Sequence, residues 1–312
     1  MMAPGFRRLS LVALFAVLAP QACGGVAVID GEVSEGGSVD SGGSGGTAGT
    51  GGTAAGGTGG TAGTGGTAGT GGTAGSVPGT CPNDPDGSPM VEVASPLATT
   101  TCIEAYEVTR GQYHAWLAGG APPPSDLPVQ CGWKTDFVPL LSSWPPTTSA
   151  GDLPVTGVDW CDAWTYCHAQ GRRLCGRINP PGAPLPTSSY ADYYESEWYN
   201  ACTERGAHAY PYGASYSPYA CNGLDADNDG PWTVGYGGAC STWEGVFDLS
   251  GNVWEWESSC TAATGEADNC RVRGGAWQSL GPSLLECSAD LLQLRNMRSP
   301  ALGFRCCADP LR

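Results

Sequence analysis

The run GVFDLSGNVWEW, Gly245 to Trp256, is the most informative stretch of this 312-residue chain. Two tryptophans and a phenylalanine stand beside two glycines and an asparagine. So many turn-forming residues among large aromatics predict a tight loop anchored by buried rings rather than an ordinary strand. The acids Asp248 and Glu255, with the carbonyl groups around Gly251, are the hard oxygen donors that calcium prefers. The run therefore predicts either a purely structural turn or a cation site.

Further motifs on both sides of this run share its order with a known protein family. EVT (107–109) and PVTGVDW (154–160) precede it, and RVRGGAW (271–277) and GFRC (303–306) follow. Together with GNVWEW, they make the chain from residue 88 to residue 309 resemble the formylglycine-generating enzyme (sulfatase-modifying factor) family. The resemblance implies a loop-rich α+β fold related to C-type lectins, with little regular secondary structure and several disulfides.

The N-terminal segment is typical of an export leader. Two arginines precede an apolar stretch at 9–19, which is too short to span a bilayer, so residues 1–22 are predicted to form a signal peptide. Cys23 follows directly, which indicates lipid attachment at that residue. Plain secretion is the alternative, because Pro20 and Gln21 depart from the usual lipoprotein pattern. We expect a location in the bacterial cell envelope, with the lipid as the only membrane contact.

The stretch that follows the leader is a tether. Between residues 41 and 75 the chain consists almost entirely of Gly, Thr, Ala and Ser. This composition buries too little apolar surface to offset the entropy lost on ordering, so residues 23–80 are predicted to be a flexible, disordered linker. One domain remains at 81–312, long enough to build a sizeable core.

Cysteine usage and charge narrow the class of protein. The chain has fifteen cysteines and a net charge of −16. If Cys23 carries lipid, an even number remains, which in an exported protein indicates a disulfide framework. Strong negative charge argues against binding to nucleic acid and against electrostatic binding to anionic membranes. We expect a monomer.

Three short helices can be placed in the domain. Thr109 with Gln112 has the spacing of a capping box, and Asp159 can cap a second helix with an apolar stripe after it. Asp192 with Glu195 is predicted to start the third helix by the same pattern.

The resemblance also implies two of the disulfides, Cys167 with Cys306 and Cys202 with Cys287. Two further pairs follow only from short sequence separation: Cys221 with Cys240, and Cys260 with Cys270. The pairing of the other cysteines stays open, namely Cys81, Cys102, Cys131, Cys161, Cys175 and Cys307.

The catalytic positions of the family are not preserved in this chain. Family members that oxidise a cysteine carry two cysteines, five residues apart, that bind copper(I) shortly after the RGG motif. The matching positions here are Ser279 and Leu284. A hydroxyl and an isobutyl group cannot replace the thiolates that copper(I) needs. We therefore expect no copper and no catalytic residues.

Calcium is the expected metal. The loop NGLDADNDG at 222–230 alternates acids and ends in a glycine, which suits hard oxygen coordination. Glu107 is a further candidate for this chemistry. The acids of the first predicted site are Asp225, Asp227 and Asp229. The resemblance adds Asn222 and Gly223 to that site, and it implies a second site at Asp248, Gly251, Val253 and Glu255.

Three functions remain open at this point. The first is a non-catalytic binding module for a peptide, a glycan or an envelope protein. The second is an oxidase that converts a cysteine of sulfatases to formylglycine, which the family resemblance favours and the residues Ser279 and Leu284 oppose. The third is a structural protein of the cell envelope.

Overall fold

The computed structural model describes residues 80–82, 87–122, 127–226 and 228–311. All described residues belong to one compact unit within Thr70–Arg312. The expected signal peptide, the lipidation site Cys23 and the tether up to residue 79 lie outside the described residues. No helix in the described ranges is long and apolar enough to cross a bilayer.

Short elements joined by long loops form the described domain. Its helices are α1 (Arg110–Ala118), α2 (Trp160–Ala169) and α3 (Glu197–Thr203). Its strands are β1 (Met90–Ala94), β2 (Thr100–Glu104), β3 (Arg173–Leu174), β4 (Trp254–Cys260), β5 (Asn269–Arg273), β6 (Asp290–Leu294), β7 (Leu302–Gly303) and β8 (Cys306–Ala308). This low content of regular structure confirms the predicted loop-rich α+β class.

The strands form two four-stranded sheets. One has the order β1-β2-β8-β3 with antiparallel neighbours, and the other has the order β6-β5-β4-β7, in which β4 and β7 run parallel. Strands β7 and β8 are separated only by Phe304 and Arg305, yet they belong to different sheets. The GFRC motif therefore links the two sheets, and both intervening side chains are buried.

The starts of the first two helices are those that the sequence predicts. Thr109 accepts the backbone N–H of Gln112, and the Gln112 side chain accepts the N–H of Thr109, which completes a capping box. Asp159 and Asp162 form the equivalent pair at α2. Each reciprocal cap satisfies two N–H groups that a helix end otherwise leaves unpaired.

The predicted start of the third helix is wrong. Asp192 does not cap α3; its carboxylate accepts the N–H of Tyr194 in a local turn. Residues 193–195 form a turn, in which the N–H groups of Glu195 and Ser196 donate to the carbonyl of Asp192. The carbonyl of Glu195 accepts the N–H of Ile178 at 2.8 Å. Ser196 is the actual cap and accepts the N–H of Tyr199. The tertiary contact with Ile178 delays the helix by one turn.

Aromatic rings form the centre of the main core. Tyr113 of α1 stacks on Tyr166 of α2 at a centroid distance of 5.5 Å, and both rings meet Phe304 edge to face. Trp256 is buried, and its indole N–H donates to the carbonyl of Val158 at 3.1 Å. The ring of the GNVWEW motif thus joins the second sheet to the loop before α2, as expected for a buried anchor.

Seven disulfides pair all fourteen cysteines of the described ranges. They join Cys81–Cys102, Cys131–Cys161, Cys167–Cys306, Cys175–Cys307, Cys202–Cys287, Cys221–Cys240 and Cys260–Cys270. The list includes the four pairs expected from the sequence. The neighbours Cys306 and Cys307 take partners on α2 and just after β3, so strand β8 is held from both sides.

A buried ionic network joins α2 to two loops. Lys134 Nζ lies 2.7 Å from Asp159 Oδ2 and 2.5 Å from Asp162 Oδ1, and all three side chains are at most 1% exposed. Arg298 approaches the same carboxylates at 2.9 and 3.1 Å. Burial and the neighbouring Asp159 raise the pKa of Asp162 to about 7. Two cations therefore face two buried carboxyl groups, and only the Arg298 side chain is partly exposed, at 20%.

Candidate functional site

The run from Gly245 to Trp256 folds into a tight turn followed by β4. Three of its residues, Asp248, Gly251 and Asn252, have φ values of 59°, 78° and 58°. A Cβ atom on Gly251 would lie 2.3 Å from the carbonyl oxygen of Asn222, so only glycine fits. The close approach of these two backbones brings the two segments that were predicted to bind calcium into direct contact.

Asn252 holds this junction together through its side chain. Its Oδ1 accepts the N–H of Trp232 at 2.8 Å and the Nδ2 group of Asn222 at 3.1 Å. Its Nδ2 donates to Glu107 Oε1 at 2.9 Å. One amide therefore connects the turn, the acidic loop and the segment before α1. The left-handed backbone of Asn252 fits this role, because asparagine tolerates positive φ better than most residues.

Three buried carboxyl groups surround one buried guanidinium group beneath the turn. Arg305 Nε and Nη2 donate to Glu255 Oε2 and Oε1, each at 2.7 Å. Trp198 Nε1 also donates to Glu255 Oε2 at 2.9 Å. Glu107 and Asp248 complete the set, so three potential negative charges face one positive charge. Planar pairing of arginine with one carboxylate is geometrically ideal, but it leaves the other two carboxyl groups uncompensated.

Glu107 and Asp248 carry the excess negative charge. Asp248 Oδ2 accepts the N–H of Gly235 at 2.6 Å, whereas Glu107 Oε2 is buried with no hydrogen-bond donor among the described residues. Burial and the nearby Asp248 carboxylate raise the pKa of Glu107 well above its usual range, and burial raises the pKa of Asp248 to about 6. Two such carboxyl groups require either a shared proton or a bound cation.

The donor set around Glu107 fits calcium better than the set around Glu255. Both oxygens of Glu255 are already engaged by Arg305 and Trp198. Glu107 Oε2 and Asn222 Oδ1 are both buried without a donor in the described ranges. Those ranges contain no group of three or more His, Cys, Asp or Glu residues arranged to hold a metal ion. Amide and carbonyl oxygens would therefore have to complete a calcium shell, as they commonly do.

The acids of the NGLDADNDG loop are placed differently from Asn222. Asp225 Oδ2 accepts the hydroxyl of Tyr216 at 2.6 Å, and Asp229 is exposed. Asp227 lies outside the described residues. Gly223, by contrast, is buried, and a Cβ atom there would lie 2.5 Å from the Leu285 side chain. The structure thus brings Asn222 and Gly223 to the interior junction, together with the buried Gly251 and Val253, and places Asp229 at the surface.

The two positions that match the copper ligands hold no groups that could bind copper(I). The Ser279 Oγ accepts the N–H of Ala276 at 2.9 Å, and the Ser279 N–H donates back to the Ala276 carbonyl at 2.8 Å. This reciprocal pair closes a turn directly after the RGG motif. Leu284 lies in a short 3-10 turn and is 39% exposed. The backbone carbonyl of Leu284 packs against Gly275. Neither side chain offers a soft ligand.

A cavity of about 220 Å³ lies against the residue before Ser279. Gln278, which precedes Ser279, lines it together with Trp254 and Val272 of the second sheet. Leu291 and Met297 complete one wall and are partly exposed to solvent. The cavity is therefore mainly apolar, and no cysteine of the described ranges lines it.

Two residues of the site could not be assigned from the sequence. Arg305 and Asn252 are recognisable as members of the GFRC and GNVWEW motifs, but their roles depend on partners far along the chain. Glu107 was a candidate from the sequence. The structure shows its role: it accepts a hydrogen bond from Asn252, which lies 145 positions further along the chain. Motif order is the only sequence signal that could have linked these residues.

Comparison with known proteins places this geometry in a family. The model of the "Sulfatase-modifying factor enzyme 1-like domain" matches residues 77–310. Two relatives named "Inactive C-alpha-formylglycine-generating enzyme 2" are similar to the chain. The protein from Mus musculus is 29% identical over 182 residues, which cover 51% of this chain and 50% of that protein. The protein from Bos taurus is 30% identical over 171 residues, with 50% of each covered. The chain thus spans about half the length of the curated relatives it matches.

Solved structures are similar at lower identity. PvdO from Pseudomonas aeruginosa is 20% identical with a TM-score of 0.48, covering 74% of this chain and 90% of its own. Variable protein 1 of Treponema denticola is 16% identical with a TM-score of 0.45, covering 71% and 95%. These similarities carry no information about activity. The match over residues 77–310 is decisive, and the chain belongs to the sulfatase-modifying factor (formylglycine-generating enzyme) family.

Proposed function

We propose that this protein is a member of the family that lacks formylglycine-generating activity and acts as a binding module. The observation that carries the proposal is the absence of any free thiol in the described ranges, where all fourteen cysteines form disulfides. Copper(I) requires soft sulfur ligands. Ser279 and Leu284 supply none, and the Ser279 hydroxyl is engaged in its own turn.

The similar proteins from mouse and cattle support this proposal, since both are named inactive. The protein is exported and attached to the cell envelope through lipid at Cys23, with the tether holding the domain away from the membrane surface. A basic and apolar leader followed at once by a cysteine supports this part of the proposal. The domain acts as a monomer and binds a peptide, a glycan or an envelope protein.

Calcium completes the buried junction in this proposal. Glu107, Asp248 and Asn222 would hold the ion, with backbone carbonyl oxygens of the turn as further ligands. Calcium would supply the positive charge that Arg305 alone does not provide to the three buried carboxyl groups. Its role is structural, because the ion fixes the turn that joins the acidic loop to β4.

A copper(I) competition assay tests the loss of the copper site. Wild-type protein should not compete with a chromogenic copper(I) chelator. The double variant Ser279→Cys, Leu284→Cys should compete, because it restores two thiolates at the matching positions. Single-cysteine variants are the matched controls and should compete weakly. Tight copper(I) binding by the wild type would contradict the proposal, and no gain in the double variant would contradict the assignment of these two positions.

A pull-down from envelope extract separates a binding module from a structural spacer. The domain 81–312 coupled to a solid support should retain a defined partner after washing in 0.5 M salt (roughly three times physiological ionic strength). Retention of nothing beyond the background of an unrelated acidic protein would favour the structural alternative.

A further inference from the structure

A second surface pocket, distant in sequence from the copper positions, lies at the end of α3. It has a volume of about 340 Å³ and is lined by Glu204, His208, Pro211, Tyr212, Ser241, Thr242 and Trp243. Such a volume suits one or two sugar rings, and ligand pockets commonly fall in this size range. We propose that this pocket binds a neutral pyranose unit of a glycan, which deepens the binding role proposed above.

The first observation is the exposure of Trp243, which lines the pocket. Its side chain is 91% exposed, more than any other large apolar residue of the described ranges. An indole that lines a pocket supplies a large, flat apolar surface with one polar N–H, which is the kind of aromatic contact that ligand pockets use. The flat ring offers a stacking surface for the C–H face of a pyranose, while the sugar hydroxyl groups stay free for hydrogen bonds.

Polar groups stand next to this ring. The Glu204 carboxylate accepts the backbone N–H of Trp243, which fixes the loop that carries the indole. His208 Nε2 lies 3.4 Å from Glu204 Oε2, a separation longer than a strong charge-assisted hydrogen bond. A ligand hydroxyl could donate to the carboxylate and accept from the imidazole, so the pair is suited to grip a sugar. Ser241 adds a further hydroxyl to the lining.

Charge around the pocket selects a neutral ligand. Arg205 directly follows the lining residue Glu204 in the chain. Its guanidinium group is paired with Glu244 at 2.9 Å. Glu204 lines the cavity, and the whole chain has a net charge of −16. An anionic ligand such as a phosphate or an acidic sugar would be repelled. A neutral hexose or N-acetylhexosamine meets no such penalty.

The surrounding structure holds the pocket in one shape. The disulfide Cys221–Cys240 ends one residue before Ser241, and it packs with Tyr212 in a small separate core. The disulfide Cys202–Cys287 secures α3 two residues before Glu204. Preorganised walls lower the entropy lost on binding, which favours recognition of a small ligand.

The test is titration calorimetry with three neutral oligosaccharides: cellohexaose, mannohexaose and N-acetylchitohexaose. We expect the intact exported protein to bind at least one of them. Trp243→Ala should weaken that binding by about tenfold or more, as expected when an aromatic anchor is removed. Glu204→Gln keeps the shape and should weaken binding by a smaller factor. Tyr219→Ala removes another exposed aromatic, 77% accessible and outside the pocket lining, and should bind like the wild type.

Circular dichroism of each variant separates lost binding from lost folding, and the exposed position of Trp243 makes unfolding unexpected. Failure of the wild type to bind all three sugars would overturn the inference, as would equal binding by wild type and Trp243→Ala. The inference would also be overturned if Trp243→Ala lost binding to a protein partner while the wild type bound none of the three sugars. These results test only the sugar pocket and say nothing about oxidase activity. The inference can therefore fail while the proposed loss of oxidase activity stands.

Discussion

Replacing Lys134 by methionine tests the energetics of the buried network most sharply. The substitution keeps the length of the side chain and removes its charge, while Asp159 and Asp162 stay buried. Removing one partner of a buried ion pair typically costs about 3–5 kcal/mol, because a charge is left without compensation. Typical domains are stable by only about 5–15 kcal/mol, so the loss should be visible as a large shift of the unfolding midpoint.

The loss should depend on pH in a definite direction. Asp162 has a folded pKa of about 7 against an ordinary value of 3.8, so the folded state binds more protons between those values. Stability contributed by this group is therefore greatest at low pH and declines as pH rises towards 7. At pH 5 the Asp162 carboxyl group is protonated, so in Lys134→Met it needs no cationic partner. At pH 8 an ionised Asp162 does need one. The destabilisation should be smaller at pH 5 than at pH 8.

Urea unfolding followed by tryptophan fluorescence, with disulfides intact, measures this difference at both pH values. Arg177→Met is the matched control, since Arg177 pairs with Glu195 at the surface with side chains 29% and 33% exposed. Exposed pairs contribute about 0–1 kcal/mol, so the control should change little at either pH. A loss at pH 8 no larger than that of the control would refute the view that this network is held by compensated buried charge.

Three further outcomes are expected. Metabolic labelling with a palmitate analogue should mark the full chain but not Cys23→Ser, and equal labelling would exclude attachment at that residue. Millimolar calcium should raise the melting temperature of the wild type and not that of Glu107→Gln, since the variant loses an ion ligand; an unchanged wild type with calcium or chelator would contradict the calcium site. Gly251→Ala should destabilise the domain by about 1–3 kcal/mol, because its backbone has positive φ and the new Cβ would meet Asn222; neutral behaviour would show that this junction relaxes easily.

The order of short motifs allowed the fold class and family to be predicted, because each motif marks a contact that the fold needs. Phe304 and Arg305 show why: they pass between two sheets, and both are buried. The capping boxes at Thr109 and Asp159 are local, so sequence pattern was sufficient for those helices. The start of the third helix was missed, because the turn before Ser196 is held by a hydrogen bond from Ile178, which no local pattern reveals.

The candidate site was only partly predictable for the same reason. Asp248 and Glu255 stand seven residues apart, yet they have different environments in the fold. Glu255 pairs with Arg305, whereas Asp248 lies with Glu107. Their roles depend on contacts across 50 and 141 positions, which neither composition nor spacing can supply. Exposure of Trp243 is likewise a tertiary property, so the pocket at the end of α3 could not be found from the sequence.

The most direct test of the proposed loss of oxidase activity is mass spectrometry of a cysteine-containing sulfatase peptide. The peptide is incubated with the domain, copper(I), oxygen and a reductant, beside an active family member as the positive control. We expect the cysteine to remain unchanged with this protein, at the level of a no-enzyme control, because Ser279 and Leu284 provide no copper ligands. Formylglycine formed above that level would contradict the central claim.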